Sequence, residues 1–247
     1  MMIANSTILT VLVGIAVLAL VVYAAAWIKM AIVHRPISLL AMRFIDNPIR
    51  RLVQPPKDVV NWINIKRGMH VLEIGPGPGT FTIEAAKSVG EQGEFAVVDI
   101  QPAIISRLND RLRTADISNV ITKTADASKL PFSDNTFDRV FLIAVLGEIA
   151  NKERALLEIR RVLRDDGLLA IGEFLQDPDY TSFERLVKLT SAAGFKLTAS
   201  YKKIIHYLLL FRKDKNVIHG YAPIFIDNLA PAARSDENRK LELSLRK

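Results

Sequence analysis

The stretch HVLEIGPGPGTF, residues 70–81, sets Gly75, Pro76, Gly77, Pro78 and Gly79 directly behind an apolar run. Glycine serves where a backbone must turn tightly or let another molecule come close. An alternating-glycine loop behind a strand reads as a nucleotide-type site. That makes 69–74 a candidate first strand, and the pattern of the chain beyond it decides the fold.

Downstream, strands and helices alternate. The pattern predicts a helix over 80–89 stopped by Gly90, then a strand at 94–100. Pro102 opens a helix with Ile104, Ile105, Leu108 and Leu112 on one face. Strands are expected at 120–126 and 138–145, and Asn151 can cap a helix with Leu156, Ile159 and Leu163 inward. RDDG then turns into a strand at 168–174, Thr181 and Glu184 form a capping box, and Gly194 ends the next helix. Strands separated by helices imply a parallel sheet covered on both faces. At 195–213 two strands share a tight connection, which requires antiparallel pairing. The expected fold class is therefore α/β, doubly wound and mostly parallel, with the last strand antiparallel.

In such a sheet, ligands sit over the carboxyl ends of the strands. Asp99 ends the second strand twenty residues past Gly79, where an acid can accept hydrogen bonds from both ribose hydroxyls. The glycine spacing departs from the dinucleotide pattern G-x-G-x-x-G. It reads Glu73-x-Gly75-x-Gly77-x-Gly79, and its two prolines remove two N–H donors. A loop short of donors with a carboxylate beside it suits a ligand carrying a ribose and a positively charged amino-acid part better than a diphosphate.

VLEIGPGPGTFT (71–82), VVDI (97–100), TADASKLPFSDNTFDRVFLIAVL (124–146) and EIRRVLRDDGLLAIGEF (158–174) together resemble the successive motifs of class I S-adenosylmethionine-dependent methyltransferases. The resemblance spans roughly 57–213 and implies a seven-stranded sheet and S-adenosylmethionine as cofactor. Carried over by position, it implies that Gly75, Gly77 and Gly79 let the backbone approach the methionine part, and that Glu73 orients the loop and helps hold the amino group. Asp99 takes the ribose hydroxyls, Ile100 lies against the adenine, and Asp126 with Ala127 holds the adenine edge. A plain helix-capping role for Glu73 stays open. The nearest-looking subfamilies are the quinone C-methylases and the bacterial phospholipid N-methyltransferases. Where the quinone enzymes carry an aromatic-Gly-Leu-Arg-Asn pattern after strand four, this chain has VLGEIANKE, 145–153.

Methyl transfer from a sulfonium requires alignment and water exclusion more than a dedicated base. Candidates near the acceptor are Glu148, the first choice, together with Glu173, His206 and Tyr207; a solvated loop acid is the alternative for Glu148. The chain has no cysteine and only four histidines, so thiolate chemistry is excluded and no metal site is expected.

Residues 1–28 carry no charge, and 7–28 are almost wholly apolar. As a helix, these 22 residues reach about 33 Å, enough to cross a bilayer core of roughly 30 Å. A buried core helix or a cleaved leader are the alternatives. Between 29 and 57, six basic residues against Asp46 alone hold +5 of the net +7. The positive-inside rule then expects residues 1–6 outside, a single span over 7–28, and the catalytic domain on the cytoplasmic side of the cell membrane. The basic amphipathic segment 29–56 can lie on an anionic surface or pack on the domain; within it Asn47-Pro48 marks a helix start, and two short helices are expected. The methyltransferase domain is bounded at 57–213, with a short helix over 58–64 leading in and an extension over 214–247. A basic excess beside the membrane, rather than along an aromatic strand face, disfavours nucleic acid. The expected activity is methylation of a lipid-like or amphipathic acceptor. A soluble or membrane-protein acceptor, or a non-catalytic cofactor sensor, are the competing readings.

Overall fold

The computed structural model describes residues 48–215, apart from 176 and 178, together with residues 13–15, 17, 18 and 21. Contacts divide the chain into Met1–Asp214 and Lys215–Lys247, and the fold described here belongs to the first unit. Helices α1 (Pro48–Val53) and α2 (Pro56–Ile63) lead into β1 (His70–Ile74), α3 (Thr82–Val89), β2 (Glu94–Asp99), α4 (Pro102–Thr114), β3 (Val120–Thr124) and β4 (Phe137–Ile143). A 3-10 turn (Leu146–Glu148), α5 (Lys152–Val162), β5 (Leu163–Phe174), α6 (Phe183–Ala192), β6 (Phe195–Lys202) and β7 (His206–Lys213) complete it.

The seven strands form one sheet in the order β3-β2-β1-β4-β5-β7-β6. β1 to β5 pair in parallel, and β7 runs antiparallel to both β5 and β6. The hairpin expectation holds: the last strand, β7, is the reversed one, and it lies between β5 and β6 in the sheet. Strand alternation sends Leu72, Val140, Leu142, Leu169 and Leu209 against α5 and α6. Val71, Val97, Phe141 and Leu208 face α2, α3 and α4 instead. Both layers are built of buried apolar side chains, and near-continuous apolar strands are what a sheet covered on two faces requires.

Local chemistry sets the element ends. Asn151 caps α5, its Oδ1 accepting from the Arg154 N–H at 2.9 Å. Gly90 closes α3 at φ +67°, and Pro48 opens α1, as expected. The start of β5, which takes in Leu163 expected in the helix before it, and the cap of α6 differ from expectation. α5 runs directly into β5, where Phe137 pairs with Leu163 but Arg139 with Leu168, so RDDG bulges out of a strand that has already begun. The cap of α6 is Ser182, accepting from the Arg185 N–H, because Thr181 is buried and its backbone is engaged elsewhere.

Among the described residues no helix is long and apolar enough to cross a membrane. The expected span over 7–28 lies outside them apart from six positions, as do the extension beyond 215 and the whole of 29–47. Those six are helical, and Val13, Ile15, Val17, Leu18 and Val21 are each more than half exposed.

Candidate active site

The site is built along the carboxyl ends of β2, β1, β4 and β5. At the end of β1 the chain turns through Gly75, Gly77 and Gly79 at φ of +69°, +53° and +78°. The Gly79 N–H closes the turn on the Pro76 carbonyl at 2.9 Å, and the Arg111 guanidinium donates to the Pro78 carbonyl. A Cβ on Gly75 would lie 2.5 Å from the Val145 side chain, whereas one on Gly77 would meet no protein atom within 4 Å. The first glycine lets the loop pack on the β4 connection. The second borders open space, where a ligand can approach bare backbone.

Glu73 sits beneath this loop, 2% exposed, and its Oε2 accepts from the Thr82 hydroxyl at 2.6 Å. Burial outweighs that hydrogen bond and pushes its carboxyl up to about 8. A buried carboxyl of this kind ionises readily only when a cation arrives. Asp99 ends β2 half-buried, its Oδ1 accepting from the Gln101 N–H at 2.8 Å, and burial raises its pKa too. Ile100, immediately after, is 56% exposed, an apolar surface at the strand end. Across from it the Ala125 N–H donates to the Asp99 carbonyl, and Asp126 closes an Asx turn on the Ser128 N–H at 2.7 Å. Ala127 is buried in the core, so only its backbone is available to a ligand.

These features fit S-adenosylmethionine. Open space flanks Gly77, a carboxyl lies ready for an ammonium group, Asp99 can accept from a diol, and Ile100 offers an apolar face. Among the described residues no group of three or more His, Asp or Glu is placed to hold a metal.

The sequence profile described as a methyltransferase domain matches residues 65–210. The chain belongs to the class I S-adenosylmethionine-dependent methyltransferases. A methyltransferase of this family, the ubiquinone/menaquinone biosynthesis C-methyltransferase of Idiomarina loihiensis, is 37% identical over 134 residues, 51% of this chain and 53% of that protein. The protein of the same name from Azotobacter vinelandii is 39% identical over 111 residues, 44% of each chain. The chain thus spans about half the length of the curated relatives it matches. In structure it is similar to an S-adenosylmethionine-dependent methyltransferase from Aquifex aeolicus, at TM-score 0.67 and 22% identity over 71% of this chain and 98% of that one. It also resembles the [4+2]-cyclase SpnF, at TM-score 0.58 and 18% identity over 64% of this chain and 80% of that one. At these identities the two likenesses speak for the fold.

The four residues expected near the acceptor lie past the end of β4, at the end of β5 and at the start of β7. Glu148 ends the 3-10 turn, half-buried, and its charge acts on Glu173. Glu173 is 1% exposed at the end of β5; the Thr181 N–H donates to its carboxyl, and its Oε1 has no hydrogen-bond partner. Burial, reinforced by Asp177, Asp179 and Glu148, pushes it up to about 8. Tyr207 stands opposite Glu173 in the ladder and donates its hydroxyl to the Thr181 carbonyl. Of the four acceptor-side candidates, Glu148, Glu173 and Tyr207 come together. His206 does not: one residue along β7 it faces the other layer, its ring 6.2 Å from Phe174 and 6.4 Å from Trp62.

Two site features carry no sequence signal of their own. Ala144, directly after β4, adopts φ +56°, a left-handed conformation costly for a residue with a Cβ. Gly147 packs so tightly on Asp179 that an added Cβ would sit 2.0 Å from its backbone oxygen.

Proposed function

We propose that this protein is a membrane-associated methyltransferase acting on a lipid-like acceptor of the quinone type. The observation that carries the reading is the Glu148–Glu173 carboxyl pair, one and two strands along from the glycine loop on the same sheet edge. The acceptor class is supported by the names of the two relatives, both quinone-biosynthesis C-methyltransferases. When bound, S-adenosylmethionine supplies a methyl group made electrophilic by its sulfonium.

The chain's own residues divide the rest. The backbone at Gly75, Gly77 and Gly79 receives the methionine part, and Glu73 meets its ammonium group. Asp99 takes the ribose hydroxyls, Ile100 the adenine face, and Asp126 with the Ala127 backbone the adenine edge. Glu148 accepts a proton from, or orients, the acceptor. Glu173 is protonated at neutral pH and donates a hydrogen bond without adding a second negative charge.

A membrane-spanning helix over 7–28, with the domain on the cytoplasmic face, completes the proposal. The helical, exposed apolar residues Val13, Ile15, Val17, Leu18 and Val21 support it over a core helix. Tethering raises the concentration of the domain at a lipid acceptor without new contacts.

A second reading rests on the charge of the rim. The negative charges of Glu148, Asp177 and Asp179 all act on Glu173, and an acidic rim made by those three favours an amine, as on a phospholipid headgroup. Incubating the protein with membranes and methyl-labelled S-adenosylmethionine separates the two. Label in the extracted quinone fraction supports the main proposal, and label in the phospholipid fraction the second. Label confined to protein or water-soluble compounds rejects both.

A further inference from the structure

We propose that the β6–β7 hairpin tip is a lipid-docking element that sets the active edge against an anionic membrane surface. Ile204, at the tip, is 95% exposed. It lines an open recess of about 420 Å³ with Val53, Lys203 and Ile205. Leu52 beside Val53 is 81% exposed, and Leu175, whose N–H donates to the Ile205 carbonyl at 2.8 Å, is 52% exposed. Three unconnected segments thus present bare apolar side chains at one place, which is unusual for a soluble surface and marks an interaction site.

The flanks choose the occupant. Lys202 and Lys203 adjoin Ile204, and both are exposed. Trp62 stacks on Tyr201 with ring centroids 5.1 Å apart, and the Lys203 ammonium lies 5.4 Å from the Trp62 ring. An apolar tip ringed by aromatic rings and lysines matches the interfacial region of a bilayer, where rings sit at headgroup level and lysines reach phosphates. A protein partner has no need of that layering. One wall of the recess is also near the apolar run in sequence: α1, which carries Leu52 and Val53, begins 20 residues after that run ends at 28.

Topology gives the docking a purpose. Because β7 is antiparallel to β5, its first residue, His206, pairs with Phe174 at the last residue of β5. The hairpin tip therefore lies on the sheet edge that carries the glycine loop. The ends of β4 and β5, with Glu148 and Glu173, lie between β1 and β7 in the strand order. Three strand spacings of roughly 4.8 Å separate glycine loop and hairpin, so an acceptor emerging beside the tip meets the carboxyl pair first. The inference rests on the lipid-acceptor reading for this purpose, but its test does not depend on turnover.

The chain has no cysteine, so Ile204→Cys offers a single thiol for an environment-sensitive fluorophore. Gln92→Cys, exposed at the opposite sheet edge between α3 and β2, is the control. The full chain is reconstituted into phosphatidylglycerol-containing vesicles, with cofactor binding as the check on folding. The expected result is that nitroxide-bearing lipid quenches the probe at 204 several-fold more than at 92, while iodide quenches 92 more than 204. Iodide quenching at 204 overturns the proposal by placing the tip in water. Protection of 204 from both quenchers overturns it by showing another part of the chain, or a second copy, over the patch. Reversing Lys202 and Lys203 to Glu should lower lipid quenching at 204 on these vesicles; an unchanged value overturns the anionic-surface assignment. Lipid quenching at 204 with no methyl label in any lipid fraction keeps the docking element and rejects the acceptor reading.

Discussion

The Thr82 hydroxyl donates to the Glu73 carboxyl at 2.6 Å inside the protein, yet burial still holds that carboxyl up to about 8. The hydrogen bond steers the group without supplying the charge it lacks. If the ammonium of S-adenosylmethionine supplies it, binding selects the ionised carboxylate and releases a proton. Affinity should then rise as pH increases towards about 8 and level off above it. Glu73→Gln should bind more weakly and lose this pH dependence. Calorimetry across the range decides, and a wild-type affinity that is flat with pH would separate Glu73 from the ammonium group.

Asp99 makes the complementary prediction for the ribose. Asp99→Ala should weaken cofactor binding by roughly 1–3 kcal/mol, the range for hydrogen bonds to a charged group, with the fold intact because the side chain is only half-buried. NAD should bind neither protein, since the loop lacks the dinucleotide spacing. Measured NAD affinity comparable to that for S-adenosylmethionine would remove the ligand assignment.

Much of this site was legible because its markers are local. The glycine loop comes directly after its strand, Asp99 ends the next, and Asp126 lies just past the third, so strand order alone brings them to one edge. The acceptor side was legible as a set of candidates and not as an arrangement. Separating His206 from Tyr207 depends on the register of β7 against β5, where neighbouring residues face opposite layers. The shift of the α6 cap from Thr181 to Ser182 has the same origin. Thr181 spends its N–H on Glu173 and its carbonyl on Tyr207, partners on β5 and β7. The early start of β5 was hidden because RDDG has turn composition but forms a bulge.

Glu173 predicts how stability depends on pH. Its folded pKa of about 8 lies above the ordinary carboxylate value, so between the two the folded chain holds a proton that the unfolded chain has lost. Its contribution is complete below the ordinary value and is lost as pH rises through about 8. The slope is about 1.4 kcal/mol per pH unit for one such group. Glu173→Gln keeps the neutral donor and should remove its share of the slope of the denaturation midpoint in that window, leaving the share of Glu73, whose carboxyl is also held up to about 8. An unchanged slope would show that Glu173 ionises as easily as an exposed acid.

Gly147→Ala tests the packing of the acceptor loop. The new methyl would press on the Asp179 backbone, which cannot rotate away as a side chain could. Overpacking of this kind costs typically about 1–3 kcal/mol, and relief requires the segment carrying Asp179 and Thr181 to move from Glu173. Turnover should fall while cofactor affinity stays near wild type, because the glycine loop of β1 is untouched. Equal losses in both would mean that the two halves of the site are mechanically one.

The last prediction separates anchor from chemistry. The described residues at 13–21 leave their apolar side chains exposed, so removing 1–28 takes no buried contact of theirs from the domain core. The shortened protein should fold and bind S-adenosylmethionine with nearly unchanged affinity. Its methylation of an acceptor embedded in membranes should fall strongly, since the local concentration conferred by the tether is lost. Glu148→Gln in the full chain should do the reverse, lowering turnover at an unchanged membrane fraction and unchanged cofactor affinity. Sedimentation with vesicles, calorimetry and label transfer on both proteins read the three quantities separately. A shortened protein that fails to fold would assign 7–28 to a core. One that methylates membrane acceptor at the full rate would make the anchor dispensable and leave docking to the domain's own surface.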